Sequence, residues 1–262
     1  MQDAQCERGL VGLKVYLSHG GGVNSWALYL WLMEQGEKPG VDFEAVFVDH
    51  GTDWPETYEY MDMMIKRGYP VTVINPDYRG CSNIYEYCKK YSLFPSRQPG
   101  HRWCTQCFKV DTLKAYCKTP YIELIGFDAD EAHRLTGRNI KDDIDTQFPL
   151  IDSGIGRQDC IKIIQRHGLP IPPKSGCYIC PFQGRDQWVL LRAKHPELFC
   201  RAKRLEELCN ERRAAKGKEP VYFRDIPLEA LIQVKDGAGR RAIEGQTEMF
   251  DDHDRPPCRC GL

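Results

Sequence analysis

Leu13-Lys14-Val15-Tyr16-Leu17-Ser18 leads through His19-Gly20-Gly21-Gly22-Val23 into Asn24-Ser25-Trp26. The first six residues are largely apolar and predict a buried strand. The three glycines predict a tight turn. Apolar positions at Trp26, Leu30 and Met33 predict a helix from Asn24 to Glu37. The same alternation continues outward. Strands are expected at 43–48, 71–74 and 121–125, and helices at 55–67, 84–91, 110–118 and 158–166. Pro55 suits the first turn of its helix, where its missing N–H costs nothing. Strand and helix in alternation imply an α/β fold, a parallel sheet with helices on both faces. Ligands of such sheets sit beyond the carboxyl ends of the strands.

The glycine turn lies at such an end. Consecutive glycines let backbone N–H groups converge on an anion without Cβ interference. The helix start adds unpaired N–H groups and the positive end of a dipole. Asn24 and Ser25 can each cap the helix or donate to a phosphate oxygen. A packing turn with no ligand would use the same glycines, but the order strand, glycines, helix is the one that phosphate sites require. The loop lacks Gly-Lys-Ser/Thr and Gly-x-Gly-x-x-Gly, so it is neither a Walker loop nor a dinucleotide fingerprint.

Composition bounds the rest. Charged residues make up 28% of the 262, and the net charge is -1, so any polyanion must be held by a local patch. No apolar run is long enough for a membrane span, and the polar start at Met1-Gln2-Asp3 has no signal core, so a cytoplasmic location and no membrane partner are expected. Thirteen cysteines are many for such a chain, and an odd number cannot all pair internally. Metal or sulfur chemistry is the reading that fits them. Cys104-Thr105-Gln106-Cys107 and Cys177-Tyr178-Ile179-Cys180 are two Cys-x-x-Cys pairs. Each spacing lets two thiolates point at one ion from a tight turn, and two pairs fill a tetrahedral zinc site or ligate an iron–sulfur cluster. Buried inert thiols and a redox disulfide are the other readings.

The texture changes near Pro170-Ile171-Pro172-Pro173, dividing the chain at 1–168 and 169–262. A helix is expected from Trp188 to Arg213. Its basic residues, from Arg201 through Arg213, alternate with Glu206, Glu207 and Glu211, which is the pattern of a solvated face. The tail ends Cys258-Arg259-Cys260-Gly261-Leu262.

Gly20-Gly21-Gly22-Val23-Asn24-Ser25 resembles the PP-loop, Ser-Gly-Gly-x-Asp-Ser, of ATP pyrophosphatases and phosphoadenosine phosphosulfate (PAPS) reductase-like proteins. Here Gly20 replaces the first Ser and Asn24 the Asp. Val48-Asp49-His50-Gly51-Thr52-Asp53-Trp54-Pro55-Glu56-Thr57 resembles the family's second-strand end. Gly126 through Glu131 to Arg134 resembles its segment near the nucleotide phosphates. The resemblance covers roughly residues 13 to 200 and implies a Rossmann-like domain, with a helical C-terminal extension. It implies a nucleotide site built from Ser18, Gly20, Gly21, Gly22, Asn24, Ser25, Asp49, Gly126, Glu131 and Arg134. It also implies a [4Fe–4S] cluster on Cys104, Cys107, Cys177 and Cys180, with zinc as the alternative, and allows Mg²⁺. The tail resembles the reductases' C-terminal Cys-Gly-Leu, which makes Cys260 the nucleophile, with Arg102 and Lys109 steadying the sulfate.

Three functions follow as expectations. The first is reduction of adenylyl sulfate or PAPS, fed by a thiol reductant. The second is ATP-dependent adenylation and sulfur transfer onto a nucleic acid or small molecule, with a sulfur-donor protein. The third is a non-catalytic, zinc-stapled module that binds nucleotide or nucleic acid.

Overall fold

The computed structural model describes residues 12–95, 102–135 and 144–233. Five strands form one parallel sheet in the order β3-β2-β1-β4-β5: β1 Lys14–Ser18, β2 Glu44–Val48, β3 Thr72–Ile74, β4 Tyr121–Ile125 and β5 Ile144–Gln147. The order reverses between β1 and β4, whose residues pair from Lys14 with Tyr121 to Ser18 with Ile125. A crevice at such a reversal is where this architecture binds ligands.

Alternation along the strands decides the layers. Leu17, Ala45, Phe47 and Leu124 face one core, with helices α1 (Val23–Glu34), α2 (Pro55–Lys66) and α7 (Arg157–Arg166) packed over it. Tyr16, Val46, Val48 and Tyr121 face the other side, covered by Leu113 and Cys117 at α5 (Asp111–Tyr116). Both faces are therefore buried, as a parallel sheet requires. The strand β5 was not expected from sequence. It is a polar edge, Ile-Asp-Thr-Gln, held by its pairing with β4.

A second apolar core joins distant parts of the chain. It combines Ile84, Tyr87 and Cys88 of α3 (Ile84–Tyr91) and Phe108 with Tyr178, Trp188, Phe199, Leu205 and Phe223. The segment after 169 thus packs against residues 81–108 and shares a core with them. The helix expected from Trp188 to Arg213 is two helices, α8 (Arg185–Lys194) and α9 (Pro196–Ala214). Pro196 disfavours helical backbone at the residue before it, and His195 sits at φ -134°, ψ 66°. The basic residues of α9 are largely spent locally. Arg204 pairs with Glu207 and Glu211, and Lys203 pairs with Glu229. Arg212 and Arg213 donate to the carbonyls of Tyr91 and Glu219. A short helix α10 (Leu228–Leu231) follows, and α6 (Pro149–Asp152) precedes α7.

Candidate anion recess and thiol cavity

The turn from β1 to α1 is held from within. Gly20 N–H donates to Ser25 Oγ at 3.0 Å, and Gly21 N–H donates to His19 Nδ1 at 3.1 Å. His19 is buried, edge-on to Trp26, and burial lowers its pKa to about 3, so it is neutral and can accept that bond. Gly21 is at φ 75°, and a Cβ there would lie 2.7 Å from Thr57 Cγ2. The first two glycines therefore build the turn. The N–H groups left for an anion are those of the helix start, Gly22 to Ser25, which have no partner within the helix. A small recess of about 140 Å³ lies against them, lined by Gly22, Val23, Asn24, Ser25, Arg157, Lys174 and Ser175.

Asn24 is the hub of the recess. Its Nδ2 donates to Asp128 Oδ2 at 2.8 Å and to Glu131 Oε2 at 3.1 Å, and its Oδ1 accepts from Arg157 Nη1 at 2.7 Å. Arg157 opens α7, whose first N–H is held by Asp130 Oδ2 at 2.9 Å. Burial, with the Glu131 charge beside it, raises the Asp128 pKa above the usual carboxylate range, while the Asn24 hydrogen bond opposes the shift. Gly126 closes β4 against this start. A Cβ on it would lie 3.0 Å from the Asn24 carbonyl oxygen and 3.1 Å from Ser25 Cα.

A larger cavity of about 610 Å³ adjoins the recess. Its walls include Cys104, Cys177 and Cys180, the cations Arg102, Lys109, Lys174 and Lys194, and the aromatic rings of Trp54, Tyr60 and Phe182. Arg102 lies over the Phe182 ring, 4.1 Å from its centre. Lys174 and Ser175 line both spaces.

The two cysteine pairs differ in setting. Cys177–Cys180 is a turn, closed by Cys180 N–H to the Cys177 carbonyl at 3.0 Å. Cys104 and Cys107, expected on a tight turn, instead enter a helical segment that continues as a π-type turn over Gln106–Val110. Burial raises the Cys104 pKa to about 11, with Cys180 adding to it, and burial likewise raises Cys177. Cys107 lies beside the Tyr78 hydroxyl, whose pKa it raises. Among the described residues no three His, Cys, Asp or Glu side chains are placed to hold a metal ion. Four thiols fit a soft ion by donor type. Three of them share one cavity wall, but the four-sulfur sphere that the sequence predicts is not closed in this conformation.

The other expected residues divide. Glu131 and Gly126 meet the recess through Asn24, and Arg102 and Lys109 line the thiol cavity. Asp49 does not reach either space. Its Oδ1 accepts from Gly51 N–H at 2.8 Å and from the Tyr58 hydroxyl at 2.9 Å, so it shapes the turn after β2. Ser18 ends β1 in register with Val46 and Ile125. The Arg134 side chain and Cys260 lie outside the described residues.

Sequence reasoning missed Arg157, Lys174 and a buried polar chain. Cys177 Sγ donates to Thr52 Oγ1 at 3.0 Å, Thr52 Oγ1 lies 2.8 Å from His50 Nδ1, and His50 Nε2 lies 3.3 Å from Asp53 Oδ2. Burial lowers the His50 pKa to about 4, against the pull of Asp53. Backbone bonds from Trp54 N–H to Gly176 and from Tyr178 N–H to Thr52 tie the same two segments together. The stretch 49–57 had been singled out for its pattern; this pairing is long-range and leaves no local signal.

These features define an α/β protein of the Rossmann-like class, with an anion-sized recess at the switch point opening toward a thiol-lined cavity. No protein-family model matches the chain. The chain is 32% identical to the uncharacterized nin region protein ORF290 of Escherichia phage lambda, over 91% of this chain and 85% of that one, and it belongs to the same family. It is 26% identical over 60% of its length to an uncharacterized protein of Methanocaldococcus jannaschii, of which it spans 40%. Among solved structures it is similar to a PAPS reductase from Candida auris (TM-score 0.47, 15% identity, 62% of this chain and 76% of that chain). It is also similar to the U34-tRNA thiolase NcsA from Methanococcus maripaludis, solved with its [4Fe-4S] cluster (TM-score 0.40, 16% identity, 76% and 72%). Among the described residues no helix is long and apolar enough to cross a membrane.

Proposed function

We propose that the chain is a PP-loop enzyme of sulfur metabolism that holds an adenine nucleotide by its phosphates and brings the nucleotide's reacting end to cysteine thiols. The observation that carries this reading is that Lys174 and Ser175 line both the recess and the thiol cavity. An anion gripped by the amides of 22–25 therefore sits next to a space of about 610 Å³, within the range of small-molecule sites. Arg157 and Lys174 offset the phosphate charge. Arg102 and Lys109, in the larger space, orient the group attached to the phosphate. Trp54 and Phe182 supply apolar walls that exclude water from that group.

The favoured reaction is reduction of adenylyl sulfate or PAPS: a thiolate would attack sulfur and expel the adenosine phosphate, and a thiol reductant would then displace sulfite from the resulting S-sulfonate, two thiols ending as a disulfide. Cys260 is the proposed nucleophile. Cys104, Cys107, Cys177 and Cys180 would hold a [4Fe–4S] cluster, or zinc in its place, once Cys107 turns from Tyr78. Such a centre would tune the electrostatic field near the sulfur rather than shuttle electrons.

The specific test is sulfite release from adenylyl sulfate or PAPS by purified protein with a thiol reductant. Release that is lost in Cys260→Ser supports the reductase; no sulfite from either nucleotide ends it. A second reading, ATP-dependent sulfur transfer to a nucleic acid or small molecule, is favoured by the three cavity thiols, which need no tail residue. It predicts pyrophosphate release from ATP with Mg²⁺. Brown, iron- and sulfide-containing protein from anaerobic purification fits either enzyme. Colourless zinc protein, silent in both assays, favours the non-catalytic module.

A further inference from the structure

The residue pattern around Asn24 goes beyond the fact of an anion site. Position 24 stands between two carboxylates and one guanidinium. Its amide nitrogen donates to Asp128 and Glu131, at 2.8 and 3.1 Å, and its amide oxygen accepts from Arg157 at 2.7 Å. Only a group with a donor on one end and an acceptor on the other satisfies all three contacts at once, and among short side chains that is the amide. A carboxylate of the same shape would offer no donor. It would also place three acidic groups within hydrogen-bond distance of one another, an arrangement that ionised carboxylates keep only with a cation between them.

Arg157 gains a fixed position from this contact. The Asn24 oxygen holds Nη1, the Asp130 carboxylate holds the backbone N–H, and the side chain lines the same recess as residues 22–25. Arginine offers five donors in a planar fork, so a guanidinium held at one nitrogen still has others to give to phosphate oxygens. The charge that a divalent cation would otherwise supply is thus present as a side chain.

We propose that Arg157, positioned by Asn24, neutralises anion charge in the recess together with Lys174, and that the recess binds a pyrophosphate-like anion without a divalent cation. This deepens the nucleotide reading and rests on it only for the identity of the anion's bearer. Arg157 is an anion-binding residue; Asn24 is a positioning residue, acting through Arg157 and through the two carboxylates it keeps apart.

The probe is inorganic pyrophosphate, titrated calorimetrically into the full chain, once in EDTA and once in saturating Mg²⁺. The wild-type chain should bind in EDTA, with an affinity that Mg²⁺ does not raise and that sequestering the probe as its Mg²⁺ complex can only lower. Arg157→Gln should weaken binding about tenfold or more in both buffers, as expected for loss of a charge-assisted contact, and Arg157→Lys should recover part of it. Asn24→Asp should bind weakly in EDTA and regain about tenfold or more on addition of Mg²⁺, a signature that mere structural damage does not produce. Thermal unfolding of each variant identifies any that fail to fold, and Arg157→Lys remains as the second reading of that position. Wild-type binding that requires Mg²⁺ would overturn the proposal, as would undiminished binding by Arg157→Gln. Asn24→Asp binding in EDTA as tightly as wild type would remove the role of Asn24. Pyrophosphate binding in EDTA together with absent sulfite and pyrophosphate release would leave this inference standing while removing the enzymatic reading; no binding in either buffer would remove both.

Discussion

Gly126→Ala is the perturbation that most directly tests how the recess is built. A Cβ at residue 126 would lie 3.0 Å from the Asn24 carbonyl oxygen, 3.1 Å from its carbonyl carbon and 3.1 Å from Ser25 Cα. Ordinary contacts of this kind begin a few tenths of an ångström further out, and all three obstacles are backbone of the first turn of α1, which has no rotamer to change. The helix start must therefore move away from β4. Overpacking of a tight contact costs about 1–3 kcal/mol. At about 2–4 °C per kcal/mol for a chain of this size, the melting temperature should fall by about 2–12 °C. The displaced residue is Asn24, so pyrophosphate affinity should fall with it. Gly22→Ala is the control. Its Cβ would meet Ser175 Oγ at 2.6 Å, the tip of a side chain that can rotate, and Gly22 sits at φ -96°, which alanine accepts. Gly22→Ala should thus keep the melting temperature within about 2 °C, roughly the effect of 1 kcal/mol or less. Calorimetric melting and pyrophosphate titration of both variants decide the matter. A Gly126→Ala chain that melts and binds like wild type would refute the close approach on which the recess depends.

Other tests address single contacts. His19 is held neutral by burial, with its pKa lowered from 6.5 to about 3. A depressed folded-state pKa contributes stability that is present above pH 6.5 and lost as pH falls, about 2 kcal/mol between pH 7 and pH 5. His19→Asn should remove that part of the acid loss in urea titrations at the two pH values; an unchanged difference would show that His19 is not the group. Glu206 is buried and accepts from the N–H groups of Phe223 and Leu228 at 2.9 and 3.1 Å. Glu206→Gln keeps only one acceptor, so it should cost about 1.5–3 kcal/mol and speed amide exchange at 223 and 228, read by hydrogen-exchange NMR or mass spectrometry. Equal exchange in both chains would deny the carboxylate its anchoring role. Glu34 joins α1 to α7 through Arg166 and His167, and the Arg166 hydrogen bond lowers its pKa. This group's contribution is present above the ordinary carboxylate pKa and lost on acidification. Glu34→Gln should cost no more than about 1 kcal/mol at pH 7, and less as pH falls through the carboxylate range, in paired denaturation curves.

What the sequence made legible was local. The apolar runs at 13–18, 43–48 and 121–125 became β1, β2 and β4 within a residue, because burial on both faces leaves an uninterrupted apolar signal. The edge strand β5 carries Asp145, Thr146 and Gln147 and has no such signal; its pairing with β4 decides it. Pro196 splits the helix expected from Trp188 to Arg213, although the periodicity on either side is helical. At the site, the glycine turn and the cysteine spacings were readable as patterns. Their division of labour was not. Gly20 and Gly21 spend their N–H groups on Ser25 and His19 of the same loop, whose side-chain orientation the pattern does not give, and Cys107 lies beside Tyr78, which it meets only after folding. Arg157 and Lys174 reach the recess from segments more than a hundred residues downstream, so no motif around residue 20 could have named them. Asn24 shows the reverse case. It stands where the resembled loop has Asp, and in the fold its two-ended amide joins Arg157 to Asp128 and Glu131.

The segment from Lys174 to Cys177 acts as a caliper. Lys174 and Ser175 touch both the recess and the cavity, Cys177 touches the cavity alone, and three Cα steps keep the backbone of Lys174 and Cys177 within about 11 Å. Pro172 and Pro173 stiffen the handle before it, and the backbone bonds from Trp54 to Gly176 and from Tyr178 to Thr52 clamp its far end to the strand β2 turn. On the proposed nucleotide reading, compounds would therefore be sorted by the length between a negative oxygen and a reactive atom before they are sorted by what that atom is. A homologue that inserted one residue between 174 and 177 would change which molecules it measures while keeping every chemical group in place.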